Sequence, residues 1–359
     1  MGLGGCGSSP QPQNTPRVTL PARSPQEALR RGLDYLESRQ ESDGAWRSQN
    51  YRDMAAGYEL TPIVAKALIF SGRAKSAARG IEFVNAGLDT HKPLIYPVYT
   101  AADMLLVLSR APDPVHQKAW TKLLLSYQLS RENGWTPQDP DYGGWGYAMK
   151  TPRKGNGDPM AHSNLTSTCF AVGALRVGGL KEKDPSVVAA RTFVQHCQST
   201  QGGFFSAPVV AGQVSMNDAL NKAGPGVPYG SASADGVRCL LRCGAGLDDP
   251  ALRRGVEWML RHFDPLKHSG DFPTTRYEDR DSLYFYYVWS TAHALAGLQR
   301  SGDKTQRAEL AAKVSARLLE LQQLDGSWRN PLGATREDDP LVATPMALAA
   351  LALCQGFRP

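Results

Sequence analysis

Two stretches far apart in the chain carry the same pattern. Gln40, Gly44 and Trp46 follow the amphipathic run Leu33-Asp-Tyr-Leu-Glu-Ser-Arg, and Gln322, Gly326 and Trp328 follow Leu318-Leu-Glu-Leu. Both read Gln-x-x-x-Gly-x-Trp at the C-terminal end of a helical pattern. Gln198, Gly202 and Phe204 repeat the spacing with Phe for Trp, Gly270-Asp-Phe272 keeps its second half, and Gln128 with Gly134-Trp135 reads as a stretched copy. The glycine ends the helix in a left-handed conformation. The aromatic ring then folds back on the helix, and the glutamine can bond backbone left open at the next helix terminus. Such a unit cannot bury its apolar face alone, so it must stack on copies of itself.

Two kinds of helix alternate between the copies. Charged, amphipathic patterns cover Pro25–Gln40, Ala74–Ala86, Val115–Ser130, Pro185–Gln198, Pro250–His262 and Gln306–Gln323. Apolar patterns poor in charge cover Leu60–Ser71, Tyr96–Ser109, Ser163–Val177, Tyr229–Cys243, Tyr284–Arg300 and Leu341–Gln355. Helices apolar all round belong inside, and helices polar on one face belong outside. Six of each, in strict alternation, predict an all-α fold, an (α/α)6 barrel with six outer and six inner helices. The barrel would take residues 25–359 as one domain.

Composition fits this reading. Hydrophobic residues make up 42% and charged residues 21%, enough to build a core and too much apolar surface for disorder. No apolar run reaches the ~18 residues that a membrane helix needs. The net charge is +6 with the basic residues scattered, which gives no nucleic-acid patch. The cysteines, Cys6, Cys169, Cys197, Cys239, Cys243 and Cys354, form no metal-ligand spacing, so no metal or other cofactor is expected.

Residues 1–24 are rich in Gly, Ser, Pro and Gln and read as a flexible tether. Leu3-Gly4-Gly5-Cys6 resembles a bacterial lipobox, with Cys6 as the lipidated residue and the tether linking it to the barrel. Met1-Gly2 falls short of a myristoylation signal because Cys6 stands where Ser or Thr is needed. A lipid anchor would place the protein at the cell envelope; without one the tether is a plain end and the protein is expected in the cytoplasm.

The Gln-x-x-x-Gly-x-Trp units on an α/α barrel resemble the repeats of squalene/oxidosqualene cyclases and of protein prenyltransferase β subunits. Ser163-Asn-Leu-Thr-Ser-Thr-Cys169 and Tyr229-Gly-Ser-Ala-Ser233 resemble the inner-helix starts of bacterial single-barrel members. The resemblance covers residues 25–359. It implies an apolar isoprenoid or lipid ligand, with cyclase-like or prenyl-transfer chemistry if the protein is an enzyme.

Function would sit at one end of the barrel. The outer-to-inner links Trp135–His162, Phe204–Pro228 and Asp264–Leu283 are long and open together, beside the N-termini of the inner helices. Those termini favour anions, so an aromatic pocket with a positive rim is expected. Asp103, Asp235 and His293 interrupt apolar inner helices at similar depth and are the acid/base candidates. The competing reading bonds each to a neighbouring helix. Trp145, Tyr147, Tyr229, Tyr286, Tyr287 and Trp289 are the candidate ligand-binding aromatics, with simple packing as the alternative.

Two departures weigh against the family's chemistry. The Asp-x-Asp-Asp acid of the hopene-type cyclases is absent, since Asp139-Pro-Asp141 and Asp279-Arg-Asp281 lack the last acid. The Asp-x-Cys zinc element of the prenyltransferases is absent too. Asp235 and Cys239 are four apart, and Ser290 stands where the histidine is expected. Two readings follow. A lipid-active enzyme requires an apolar cavity reaching the polar residues. A non-catalytic scaffold, binding a protein partner or a ligand on its long-link face, has a filled barrel and polar residues satisfied by neighbours.

Overall fold

The structure is a computed structural model and describes residues 24–209, 220–302 and 307–356. Cys6 and the lipobox-like segment lie outside the described residues. The described chain holds thirteen α-helices. The outer set is α1 (Pro25–Ser38), α3 (Ala74–Asp89), α5 (Pro114–Ser126), α7 (Pro185–His196), α9 (Pro250–His262) and α12 (Arg307–Leu321). The inner set is α2 (Thr61–Phe70), α4 (Pro97–Leu108), α6 (Leu165–Val177), α8 (Gly230–Arg242), α11 (Tyr284–Arg300) and α13 (Pro340–Cys354). The extra helix, α10 (Tyr277–Asp281), lies in the link between α9 and α11. None of the described helices is long and apolar enough to cross a membrane.

Local chemistry sets the helix starts. Proline stands in the first turn of α1, α2, α4, α5, α7, α9 and α13, where its missing N–H costs nothing. Ser24, Asp113, Asn164, Asp249 and Asp339 accept first-turn N–H groups at the starts of α1, α5, α6, α9 and α13.

The inner helices touch in chain order, α2 to α4, α6, α8, α11 and α13, and α13 packs back on α2. That last contact closes the ring. Outer helices lie on this ring: α3 on α2, α5 on α4, α7 on α6 and α8, α9 on α8, and α12 on α11 and α13. The fold is the expected all-α barrel. Its only strands among the described residues are β1 (Trp145–Gly146) and β2 (Ser163–Asn164), an antiparallel pair that pinches together the two ends of a long link.

The repeat is a clamp between successive outer helices. The Gln40 amide donates to the Gly44 carbonyl at 2.9 Å and to the Ser76 carbonyl at the start of α3 at 2.8 Å. Gln198 joins Gly202 to Ala251 of α9, and Gln322 joins Gly326 to Ala28 of α1, across the meeting point of the chain's two ends. The aromatic residue adds two bonds. Trp46 donates its backbone N–H to Thr61 of α2 and its indole N–H to the Leu36 carbonyl; Trp328 does the same with Thr344 and Leu318. Phe204 makes the first bond with Ser233 and, having no indole, omits the second.

One copy is not where the spacing placed it. Gln128 clamps Gly143 and Ser186 of α7, and Trp145 bonds Thr168 and Leu124. The glycine of this copy is therefore Gly143 rather than Gly134, with fourteen residues, 129–142, where the other copies have three. Gly143 has φ 89°, and a Cβ there would stand 2.0 Å from the Ala189 carbonyl oxygen of α7. Only glycine permits that approach. Gly270-Asp-Phe272 forms no clamp of this kind; Gly270 bridges Tyr229 and Phe272 packs on the Tyr229 ring.

Candidate functional site

Each inner helix turns one stripe to the barrel axis. On α2 and α4 the stripes carry Lys66 and Asp103, whose ammonium and carboxylate form an ion pair with little exposure. The pair is also packed on aromatics: the Lys66 nitrogen lies 5.4 Å from the Phe170 ring of α6 and 5.7 Å from the Trp289 ring of α11. Phe170 and Trp289 stack at 5.3 Å. The helices α2, α6 and α11 are alternate members of a six-membered ring, so their side chains can meet only across its axis. Lys66, Phe170 and Trp289 thus form a floor across the lumen.

Asp235 of α8 stands at the wall beside this floor, wholly buried. One oxygen accepts from the Arg238 guanidinium at 2.8 Å and the Ser290 hydroxyl at 2.6 Å. The other accepts from Tyr286 at 2.6 Å and Thr166 at 3.1 Å. Arg238 in turn lies over the Trp289 ring at 4.4 Å. Arg238 is pushed further toward its charged form by Asp235 and neighbouring thiol and phenol groups, against the cost of burial. Four donors thus surround the carboxylate. Asp103 and Asp235 are both tied to neighbouring helices, which is the competing reading of the sequence.

His293 differs. Asp235 bonds Tyr286 and Ser290, so His293 lies about one helical turn further from the mouth. The three candidates are nonetheless gathered round one ring, since Lys66 and Arg238, the partners of Asp103 and Asp235, both lie over Trp289. The His293 ring meets Trp289 edge-on at 4.7 Å and makes no hydrogen bond among the described residues. Burial, then the charges of Arg238, Arg242, Lys66 and Arg300, hold its pKa well below the usual histidine range.

The aromatics divide between lumen and wall. Trp289 and Tyr286 belong to the floor and its support. Tyr147 reaches the lumen from the long link and stacks on Tyr99 of α4 at 5.9 Å, both rings partly accessible. The Tyr99 hydroxyl accepts from Ser167 at 3.0 Å. Trp145 is fully buried as the ring of its clamp, between α5 and α6, and not at the mouth. Tyr229 and Tyr287 pack against His268 in the wall behind α8 and α11. Among the described residues no group of three or more His, Cys, Asp or Glu side chains is arranged to hold a metal ion.

The expected positive rim is largely cancelled. Glu337 accepts the N–H groups of Phe285 and Tyr286 at the start of α11, at 2.8 and 2.7 Å. The His268 ring accepts from Ser231 in α8, Asn164 from Ser167 in α6 and Asp339 from Leu341 in α13. Side chains already occupy these helix ends, so they are not open to a phosphate group.

Lys66, Tyr99, Phe170, Arg238 and Glu337 complete the site and were not among the sequence candidates. Two had a signal. Lys66 is the only charge in Thr61–Phe70, and Arg238 follows Asp235 at the spacing of one helical turn. Phe170 and Tyr99 look like any core aromatic, and Glu337 lies in a link with no pattern.

No protein-family model and no curated protein matches the chain. Solved structures do. The chain is 15% identical to the type II terpene cyclase MstE from Scytonema without ligand, covering 92% of this chain and 98% of that one with a TM-score of 0.54. A variant of MstE in complex with the product merosterolic acid A matches at 14% identity, 93% and 98% coverage and a TM-score of 0.56. A protein from Klebsiella pneumoniae described as a possible member of the GH105 family matches at 15% identity, 98% and 99% coverage and a TM-score of 0.57. The chain therefore shares the α/α-toroid fold of these proteins.

Proposed function

We propose that this terpene cyclase-like α/α toroid binds an apolar, isoprenoid-type ligand in the mouth half of its lumen and does not protonate it. The observation that carries the reading is the Tyr99–Tyr147 stack. The two rings come from α4 and from a long link, line the lumen and remain partly accessible. Aromatic faces above an aromatic floor suit a hydrocarbon body. Variants of MstE crystallised with geranylgeranyl dihydroxybenzoate and with merosterolic acid A, so this fold can enclose such molecules.

The four donors on Asp235 and the Lys66 ion pair of Asp103 argue for binding without acid catalysis. They also favour the scaffold reading, in which the long-link face engages a protein partner instead. One experiment separates the two. Purification from native membranes, followed by mass spectrometry of extracted lipid, should recover an isoprenoid from the wild type and at least about tenfold less from Tyr99→Ala. Recovery of none from the wild type would rule out ligand binding and leave the scaffold. We further propose that Cys6 is lipidated and holds the barrel at a membrane, where such ligands concentrate. Labelling with a fatty acid should mark the wild type and not Cys6→Ser.

A further inference from the structure

A cavity lies outside the lumen. A cleft of about 190 Å³ opens between α12, the start of α11 and the links that follow α9 and α12. Lys267, Arg317 and Arg329 line it from three sides. Lys267 and Arg329 are exposed and have no acidic partner among the described residues. The one acid in the lining, Asp281, is already held by both arms of Arg280 at 2.6 and 2.8 Å. The cleft therefore presents uncompensated positive charge.

Two further donors in its lining lack a well-formed hydrogen bond. The Nε2 of His268 accepts from Ser231, so the proton of this neutral ring is on Nδ1. Nδ1 is sealed from solvent, and the Arg280 carbonyl is the acceptor beside it, without a well-formed hydrogen bond. The Arg317 Nε makes no well-formed bond of its own, and the side chain is held by the Tyr284 hydroxyl and, through its Nη1 at 2.9 Å, by Glu320. Buried donors without a well-formed bond are uncommon, and each calls for an explanation. Leu266, Leu332 and the Tyr284 ring supply an apolar side.

We propose that this cleft is a binding site for a phosphate monoester. Its oxyanion would lie among Lys267, Arg317 and Arg329, and its organic arm against Leu266 and Leu332. A phosphate offers several oxygens at once, which suits cations carried on three different elements. A single carboxylate offers fewer. The site is separate from the lumen, so it stands or falls independently of the ligand proposed there.

The test uses the whole protein, with glycerol 3-phosphate as the soluble probe and phosphatidylcholine vesicles with and without phosphatidic acid as the membrane probe. Isothermal titration at fixed ionic strength should show the wild type binding glycerol 3-phosphate at least about tenfold more tightly than Lys267→Ala/Arg329→Ala. Both positions are exposed, so the double variant keeps its fold, and a thermal melt verifies this. If phosphatidic acid vesicles also sediment the wild type and not the variant, the ester is a lipid headgroup. If only the free ester binds, it is a soluble metabolite. Equal affinity in the double variant, no binding of either probe, or loss of binding to chloride at matched ionic strength would overturn the proposal.

Discussion

Asp235 shows how much a single residue can depend on its surroundings. The sequence makes it an acid/base candidate because a carboxylate interrupts an apolar helix. The structure gives it four donors, one of them Arg238 at 4% exposure. Removing one member of such a pair leaves the other charge buried. We expect Asp235→Asn to cost about 3–5 kcal/mol in guanidinium unfolding. A loss below about 1 kcal/mol would show that the pair is not sealed as described. Glu337 yields a pH prediction. Burial raises its carboxyl from 4.5 to about 7, against the helix N–H bonds that favour ionisation. Between those values the folded chain keeps a proton that the unfolded chain has released. The stability owed to this group is thus complete below 4.5 and is lost as the pH rises to about 7. Unfolding midpoints across that window should fall more steeply for the wild type than for Glu337→Gln; parallel curves would rule the assignment out.

The clamp is the element through which the outer layer is built. Each complete copy ties the end of one outer helix to the start of the next and sets an aromatic ring against the inner helix that follows. The Gln128 copy tests this account, because sequence spacing and structure choose different glycines. Gly143→Ala meets the Ala189 carbonyl at 2.0 Å and also needs a left-handed backbone, so it should cost about 3 kcal/mol or more. Gly134→Ala meets only the Lys154 side chain at 3.2 Å and carries the backbone term, about 1 kcal/mol. Denaturant midpoints of the two variants decide the matter, and the opposite order would restore Gly134 to the motif. Helix positions were legible from sequence because period, proline and capping are local. The longer stretch at residues 129–142 was not, since nothing local marks a motif as interrupted.

At the scale of the molecule the ring is closed, and closure should make unfolding cooperative. An open solenoid tolerates the loss of a terminal repeat. Here α13 touches both α2 and α11, and its Thr344 receives the Trp328 backbone N–H. A chain ending at Asp339 would expose both flanks. We expect it to lose its sharp thermal transition in far-UV circular dichroism; a retained sharp melt would argue for an open array.

The sequence by itself determined the twelve alternating helices, their inner and outer roles and the glycine-aromatic clamp. Those follow from periodicity and from chemistry within a few residues. Tertiary structure decided what the polar interior does. Lys66 meets Asp103, and Asp235 meets Tyr286 and Ser290, across gaps of 37, 51 and 55 residues. The floor exists because three alternate helices point large side chains at one axis, a relation that no single helix encodes. The same holds for the helix ends: Glu337 closes the start of α11 from another link, so a face that local rules make positive is already occupied.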